Sequence, residues 1–161
     1  MKSIIIYYSF SGNTKKIAAA LSQHLQTKGE VEVIELKALD ESDKFLSQAS
    51  RAFRRKRAKI APAKYDLSGY DLVCFGTPVW AFGPACAMNT YLDICSGITG
   101  KQQIILFTTY GSGTGNERCL NYMQDILAKK GAGSFKRFSL QQLKVDNREF
   151  VINTIEAALS K

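Results

Sequence analysis

The sequence predicts an open α/β fold in which a five-stranded parallel sheet is covered by helices on both faces, and three observations predict it. Short apolar runs rich in β-formers alternate with segments of helical period along the chain, which is the pattern of successive βα units. Runs such as Ile4–Tyr8 and Leu72–Phe75 are apolar without alternation, as strands buried on both faces are. Loops dense in small polar residues, aromatic rings or glycine follow strands one, three and four, and ligands of such sheets bind beyond the carboxyl ends of the strands.

Strands are expected at Ser3–Tyr8, Val31–Leu36, Leu72–Phe75, Ile104–Thr108 and Ser134–Leu140. The first helix begins near Thr14, carries Ile17, Leu21 and Leu25 on one face, and ends before Gly29. Pro84 opens a later helix at its first position, where a missing N–H costs nothing, and Met88, Tyr91, Leu92 and Cys95 form its inner face. Asn116 is the expected cap of the next, which closes on Lys129, Lys130 and Gly131, a charge-then-glycine ending suited to the negative end of the helix dipole. Asp146 and Glu149 resemble a capping box for the last helix, with Ile152, Ile155 and Leu159 inward.

A chain of 161 residues, 45% hydrophobic, suits a single domain over residues 1–161. The apolar run near the N-terminus is shorter than a signal-peptide core and no segment reaches membrane-spanning length, so a soluble cytoplasmic protein is expected. Four cysteines without C-x-x-C spacing and one histidine argue against a metal site and for a reducing compartment. Cys74, Cys95 and Cys119 read as core residues. Cys86 sits in a first helical turn, away from the Met88 face, where a thiol pKa is open to lowering. His24 lies far along the first helix and reads as structural, and no Ser/His/Asp set is present, so no catalytic acid–base residue is assigned.

The net charge of +8 is concentrated in one place: residues 51–59 carry Arg51, Arg54, Arg55, Lys56, Arg57 and Lys59 and no acid. Without those six the chain has sixteen basic and 14 acidic residues, so a general affinity for nucleic acid does not follow. Leu46, Ala49, Phe53 and Ile60 share a face at helical spacing, with Arg51, Arg54 and Arg55 opposite. A solvated helix face accounts for the run as well as a docking surface does.

The loop after strand one, Ser9-Phe10-Ser11-Gly12-Asn13-Thr14, gathers three hydroxyls, an amide and consecutive backbone N–H groups at a helix mouth, as an anion site requires. A dinucleotide site would need G-x-G-x-x-G and a triphosphate loop G-K-S/T, and neither occurs here. A turn with a helix cap explains the same composition. After strand three, Thr77-Pro78-Val79-Trp80 leads into Phe82 and Pro84, placing large rings in a short loop, either to stack on a planar ligand or to plug the core. After strand four come Thr109, Tyr110, Gly111, Ser112 and Gly113, where glycines admit close backbone approach.

Together these loops resemble the flavodoxin family over the whole chain, the S-x-S-G-N-T loop being the specific part of the likeness. The resemblance implies a flavodoxin-like three-layer sandwich with sheet order 2-1-3-4-5, and FMN as cofactor. It implies that Ser9, Phe10, Ser11, Gly12, Asn13 and Thr14 hold the FMN phosphate. Thr77, Pro78, Val79 and Trp80, with Thr109, Tyr110, Gly111, Ser112 and Gly113, then flank the flavin ring. Response-regulator receivers share the layout but need acidic strand ends, where this chain has Tyr8-Ser9 and Gly76-Thr77; small tyrosine phosphatases need a cysteine where Phe10 stands.

The implied function is electron transfer through bound FMN, with NAD(P)H-dependent reduction of a quinone or flavin as the alternative and a non-redox interaction module as the outsider. A flavin carries the redox chemistry itself, which suits a chain without an acid–base constellation. Many electron-carrier flavodoxins are acidic, and this chain departs from them. Its basic run suits an acidic redox partner, a phosphorylated nicotinamide or, last, nucleic acid, by steering over a Debye length of about 8 to 10 Å.

Overall fold

The computed structural model describes residues 1–39, 57–111 and 113–160. Strand β1 (Lys2–Tyr7) leads into helix α1 (Asn13–Gln26) and β2 (Glu30–Glu35). Strand β3 (Leu72–Trp80) turns directly into the short β4 (Gly83–Pro84), followed by α2 (Cys86–Ile94) and β5 (Gln103–Tyr110). Helix α3 (Asn116–Lys129), β6 (Ser134–Gln141) and α4 (Arg148–Leu159) complete the order. The parallel ladder runs β2-β1-β3-β5-β6, which is the expected order of five parallel strands, and β4 pairs antiparallel with the end of β3.

Alternate residues of each central strand serve opposite faces, as the two-residue period of a strand requires. Ile4, Ile6, Val73 and Phe75 pack with Met88, Tyr91 and Leu92 of α2 and Leu120, Met123 and Leu127 of α3. Ile5, Tyr7 and Cys74 pack with Ile17, Leu21 and Leu25 of α1 and Val151 and Ile155 of α4. Cys74, Cys95 and Cys119 are buried, as their sequence context implied.

Several boundaries differ from the sequence reading, each for a local reason. Strand β3 continues past Phe75 to Trp80, because Pro78 sits opposite Thr109 in the ladder and the neighbouring strand supports the extension. Pro84 therefore belongs to β4, and Ala85 is the N-cap of α2. Cys86 faces inward and is buried, unlike the outward placement expected of it. Gly115 caps α3 and Asn116 is its first residue. Helix α4 is capped by Asn147, whose side chain accepts from the Phe150 amide at 3.0 Å, while Asp146 pairs instead with Lys16. Val151 and Ile155 form its buried face, and Ile152 is exposed.

Arg51, Arg54, Arg55 and Lys56 lie outside the described residues, as do Leu46, Ala49 and Phe53 and the helical face read from them. Residues 57–60 belong to no helix: Ile60 makes an antiparallel bridge to Ala38. No helix among the described residues is long and apolar enough to cross a membrane.

Candidate functional site

The carboxyl ends of β1, β3 and β5 lie side by side, so the three segments after them meet at one edge of the sheet. The chain leaves β1 once the Tyr8 amide has bonded the Gly76 carbonyl, at 3.0 Å. Gly12 then adopts the left-handed conformation (φ 86°) as N-cap of α1, which an L side chain resists and which lets Ser9 fold back. Ser9 Oγ accepts from the Lys15 amide at 3.2 Å. The amides of Asn13 and Thr14 have no carbonyl a turn earlier to serve. No acid stands in this first turn, and the nearby Lys15 amine is paired with Glu35 at 3.0 Å.

Thr14 turns its side chain away from solvent. Its hydroxyl lies 2.9 Å from that of Thr109 near the end of β5, joining positions 95 residues apart in a buried contact.

At the end of β3, Trp80 is 5% exposed and stands in the core cluster rather than in a loop. Tyr8 and Phe10 meet it edge-on, each with ring centroids 5.6 Å away, so the first and second segments are joined by three aromatic rings. Thr77 is fully buried, and its Oγ1 accepts from the Ala85 amide at 3.0 Å, holding the start of α2 against β3. The turn between β3 and β4 contains only Ala81 (φ 46°) and Phe82 (φ 66°), two left-handed residues without a glycine. Sequence reasoning missed this hairpin because its usual signal, Asn-Gly or Gly at the tip, is absent.

Phe82 is 46% exposed and faces a cavity of about 160 Å³ lined with Val79, Ala81, Tyr110, Gly111 and Thr114. The guanidinium of Arg118 lies 5.8 Å from the Phe82 ring centroid. Gly111 is held by the Gln141 side chain, whose Nε2 donates to its carbonyl at 3.2 Å. Gln141 was not singled out from sequence, although its place at the carboxyl end of the last strand is the signal that points to it. Gly113 is exposed in the same loop, and Ser112 lies outside the described residues. Thus Ser9–Thr14, Thr77–Trp80 and Thr109–Gly111 are brought to one edge.

Three of the buried thiols are poor nucleophiles. Burial pushes the thiols of Cys74 and Cys119 well up and that of Cys95 to about 11, so they stay protonated near neutrality. Tyr7, buried beneath α1 and beside Glu35, is raised to about 12, first by burial and then by that carboxylate. His24 is half-buried in the last turns of α1, and its carbonyl accepts from Thr27 at 2.7 Å. Arg57 forks onto Asp93 of α2, with one contact at 3.0 Å, and Asp93 holds the guanidinium in its charged form.

A larger cavity, about 720 Å³, lies elsewhere, in the open groove between β6 and α4. Its walls include Phe138, Phe150 and Asn153, and none of the segments following β1, β3 or β5 contributes to it. Size alone therefore does not locate the site.

The model of the NADPH-dependent FMN reductase family matches residues 1–141. A flavoprotein in complex with FMN from Lactobacillus acidophilus NCFM is similar in structure, with 22% identity, a TM-score of 0.62, and 92% of this chain and 98% of that chain covered. Oxidised flavodoxin 2 from Bacillus cereus is 18% identical with a TM-score of 0.63, covering 99% of each chain. The apo form of an NADH:FMN oxidoreductase is 18% identical with a TM-score of 0.65, covering 99% of this chain and 90% of that one. At these identities the solved structures establish the flavodoxin-like fold, while the family model spans most of the chain. The chain belongs to the NADPH-dependent FMN reductase family and is a flavodoxin-like, FMN-binding redox protein.

Proposed function

We propose that this protein holds FMN at the carboxyl edge of the sheet and passes electrons from a reduced nicotinamide to a flavin or quinone. The phosphate is assigned to Ser9, Phe10, Ser11, Gly12, Asn13 and Thr14, and the ring to the space between Thr77–Trp80 and Thr109, Tyr110, Gly111 and Gly113. The observation that carries the reading is the convergence of these segments, through the Thr14–Thr109 hydroxyls and the Tyr8–Trp80–Phe10 rings.

The donor set suits a phosphate monoester. Neutral hydroxyls and helix-mouth amides stabilise a dianion without a paired cation, and a carboxylate in the first turn of α1, which would repel it, is absent. FMN bound there supplies the redox chemistry, and the chain supplies orientation and surroundings. Val79, Phe82 and Tyr110 line the adjoining cavity, while Gln141 fixes the Gly111 carbonyl. Cys74, Cys95 and Cys119, buried and held protonated, take no part.

A second reading, a one-electron carrier for an acidic protein partner, draws on the basic run. Arg57 is already engaged by Asp93, which weakens the part of that run for which a position is described. The family description, which names NADPH, favours the enzyme. Anaerobic mixing of the FMN-loaded protein with NADPH and with NADH tests the choice. Bleaching of the flavin absorbance by either nicotinamide is expected. A flavin that dithionite reduces but neither nicotinamide does would leave the carrier reading instead.

A further inference from the structure

Thr14 and Thr109 are 1% and 3% exposed, and their hydroxyls lie 2.9 Å apart. A hydroxyl carries one proton and can accept as well. The pair therefore has two arrangements. In one, Thr14 gives its proton to Thr109 and turns only lone pairs toward the loop at the mouth of α1, which an anion repels. In the other, Thr109 donates to Thr14 and leaves the Thr14 proton available to an acceptor in that loop. We propose that Thr109 is a positioning residue for the phosphate end of FMN, acting through Thr14: it donates to Thr14 Oγ1, and Thr14 in turn donates to the phosphate. The inference rests on the phosphate-loop assignment made under Proposed function.

Two features give the pair consequences beyond holding the fold together. The Thr109–Thr14 bond exists with or without the anion, so it adds to binding only by the amount it strengthens when Thr14 is polarised. A hydroxyl that donates to a dianion becomes a better acceptor, and chains of hydrogen bonds reinforce one another in a buried setting. Thr109 also stands immediately before Tyr110 and Gly111, which line the cavity beside Phe82, and opposite Pro78 in the ladder. The same residue thus touches the segment assigned to the phosphate and begins the segment assigned to the ring.

The test is a fluorescence titration of the flavin-free full chain with FMN and with riboflavin, which lacks the phosphate. The quantity read is the ratio of the two dissociation constants, so a general loss of fold or ring contacts cancels. Thr109→Val keeps the branched shape and removes the hydroxyl, and it should lower the preference for FMN about threefold. Thr109→Ser should restore the parental ratio, and it keeps the question answerable should the valine variant fail to fold, since a serine variant with a lowered ratio overturns the proposal. In a Thr14→Val background the Thr109→Val change should leave the ratio alone, because the intermediary is gone. A Thr109→Val ratio equal to the parent's, or an equal loss in both backgrounds, overturns the proposal while leaving the phosphate assignment standing. A parent that binds riboflavin as tightly as FMN overturns that assignment and the inference with it.

Discussion

The Phe82 ring lies so close to Gly115 that a Cβ added to Gly115 would stand 2.6 Å from Phe82 Cδ1. Gly115 is also left-handed (φ 98°) as the N-cap of α3, so the hairpin tip and the start of that helix fit together only because position 115 has no side chain. Gly115→Ala should therefore cost about 2 kcal/mol, from backbone strain and from displacement of Phe82 together. Denaturant midpoints measure it, and a parental midpoint would show that the hairpin is not seated on α3.

Ala81 bears the opposite expectation. It holds φ 46° at the tip of the hairpin, a conformation that costs a residue with a Cβ roughly 1 kcal/mol and costs glycine almost nothing. Ala81→Gly should raise stability by about that amount, a melting temperature higher by about 2 to 4 °C for a chain of this size. A lowered melting temperature would contradict the strained turn.

Trp80 belongs to the core and also borders the proposed flavin site. Trp80→Ala removes a ring packed against Tyr8 and Phe10 and should cost about 3 to 5 kcal/mol, with weaker FMN binding because Phe10 loses its support. Trp80→Phe should retain most of both. Calorimetry and flavin titration of the two variants check this; an alanine variant of parental stability would place the indole outside the core.

Ser11 is exposed in the first loop and serves no partner that α1 requires. Ser11→Ala should weaken FMN about tenfold, the worth of one hydrogen bond to a charged acceptor, and leave riboflavin affinity unchanged. FAD, whose phosphate is tied into a pyrophosphate, should bind the parent more weakly than FMN. Equal losses for FMN and riboflavin would remove Ser11 from the phosphate seat.

The edge strand β2 is braced by Glu32, which meets Lys64 at 2.8 Å and also accepts from Tyr70. The hydrogen bond from Lys64, then that from Tyr70, holds the Glu32 carboxyl below its usual value of 4.5. A carboxyl with a lowered folded pKa stabilises the fold above its unfolded value and loses that contribution as pH falls through the folded one. Glu32→Gln should thus lower the melting temperature at pH 7 by about 2 °C, modest because the pair is partly exposed, and match the parent near pH 2. A gap that persists in acid would rule out the charge as its cause.

Much of this molecule is legible in the sequence because apolar periodicity and loop chemistry act locally. The strands of Ile4–Tyr8 and Leu72–Phe75, the helix of Ile17, Leu21 and Leu25, and the left-handed Gly12 follow from such signals. What was not legible depends on partners distant in sequence. Pro78 stays in a strand only because β5 lies alongside it, and Ala81–Phe82 turns without glycine only because the pairs Val79–Pro84 and Trp80–Gly83 and the seat at Gly115 hold it. The caps Gly115 and Asn147 each stand one residue from the sequence expectation, Gly115 before Asn116 and Asn147 after Asp146, since neighbouring polar residues compete on nearly equal terms. The contact of Thr14 with Thr109 is not legible in the sequence, because it exists only with β5 placed beside α1.

The proposed FMN seat is the edge built by Ser9–Thr14, Thr77–Trp80 and Thr109–Gly111, although the groove between β6 and α4 is larger. Backbone amide shifts of the labelled protein, followed by nuclear magnetic resonance as FMN is added, compare the two directly. The largest changes should fall on Gly12, Asn13 and Thr14, and then on Trp80, Tyr110 and Gly111. Changes concentrated instead on Phe138, Phe150 and Asn153, with the Gly12–Thr14 amides unmoved, would contradict it.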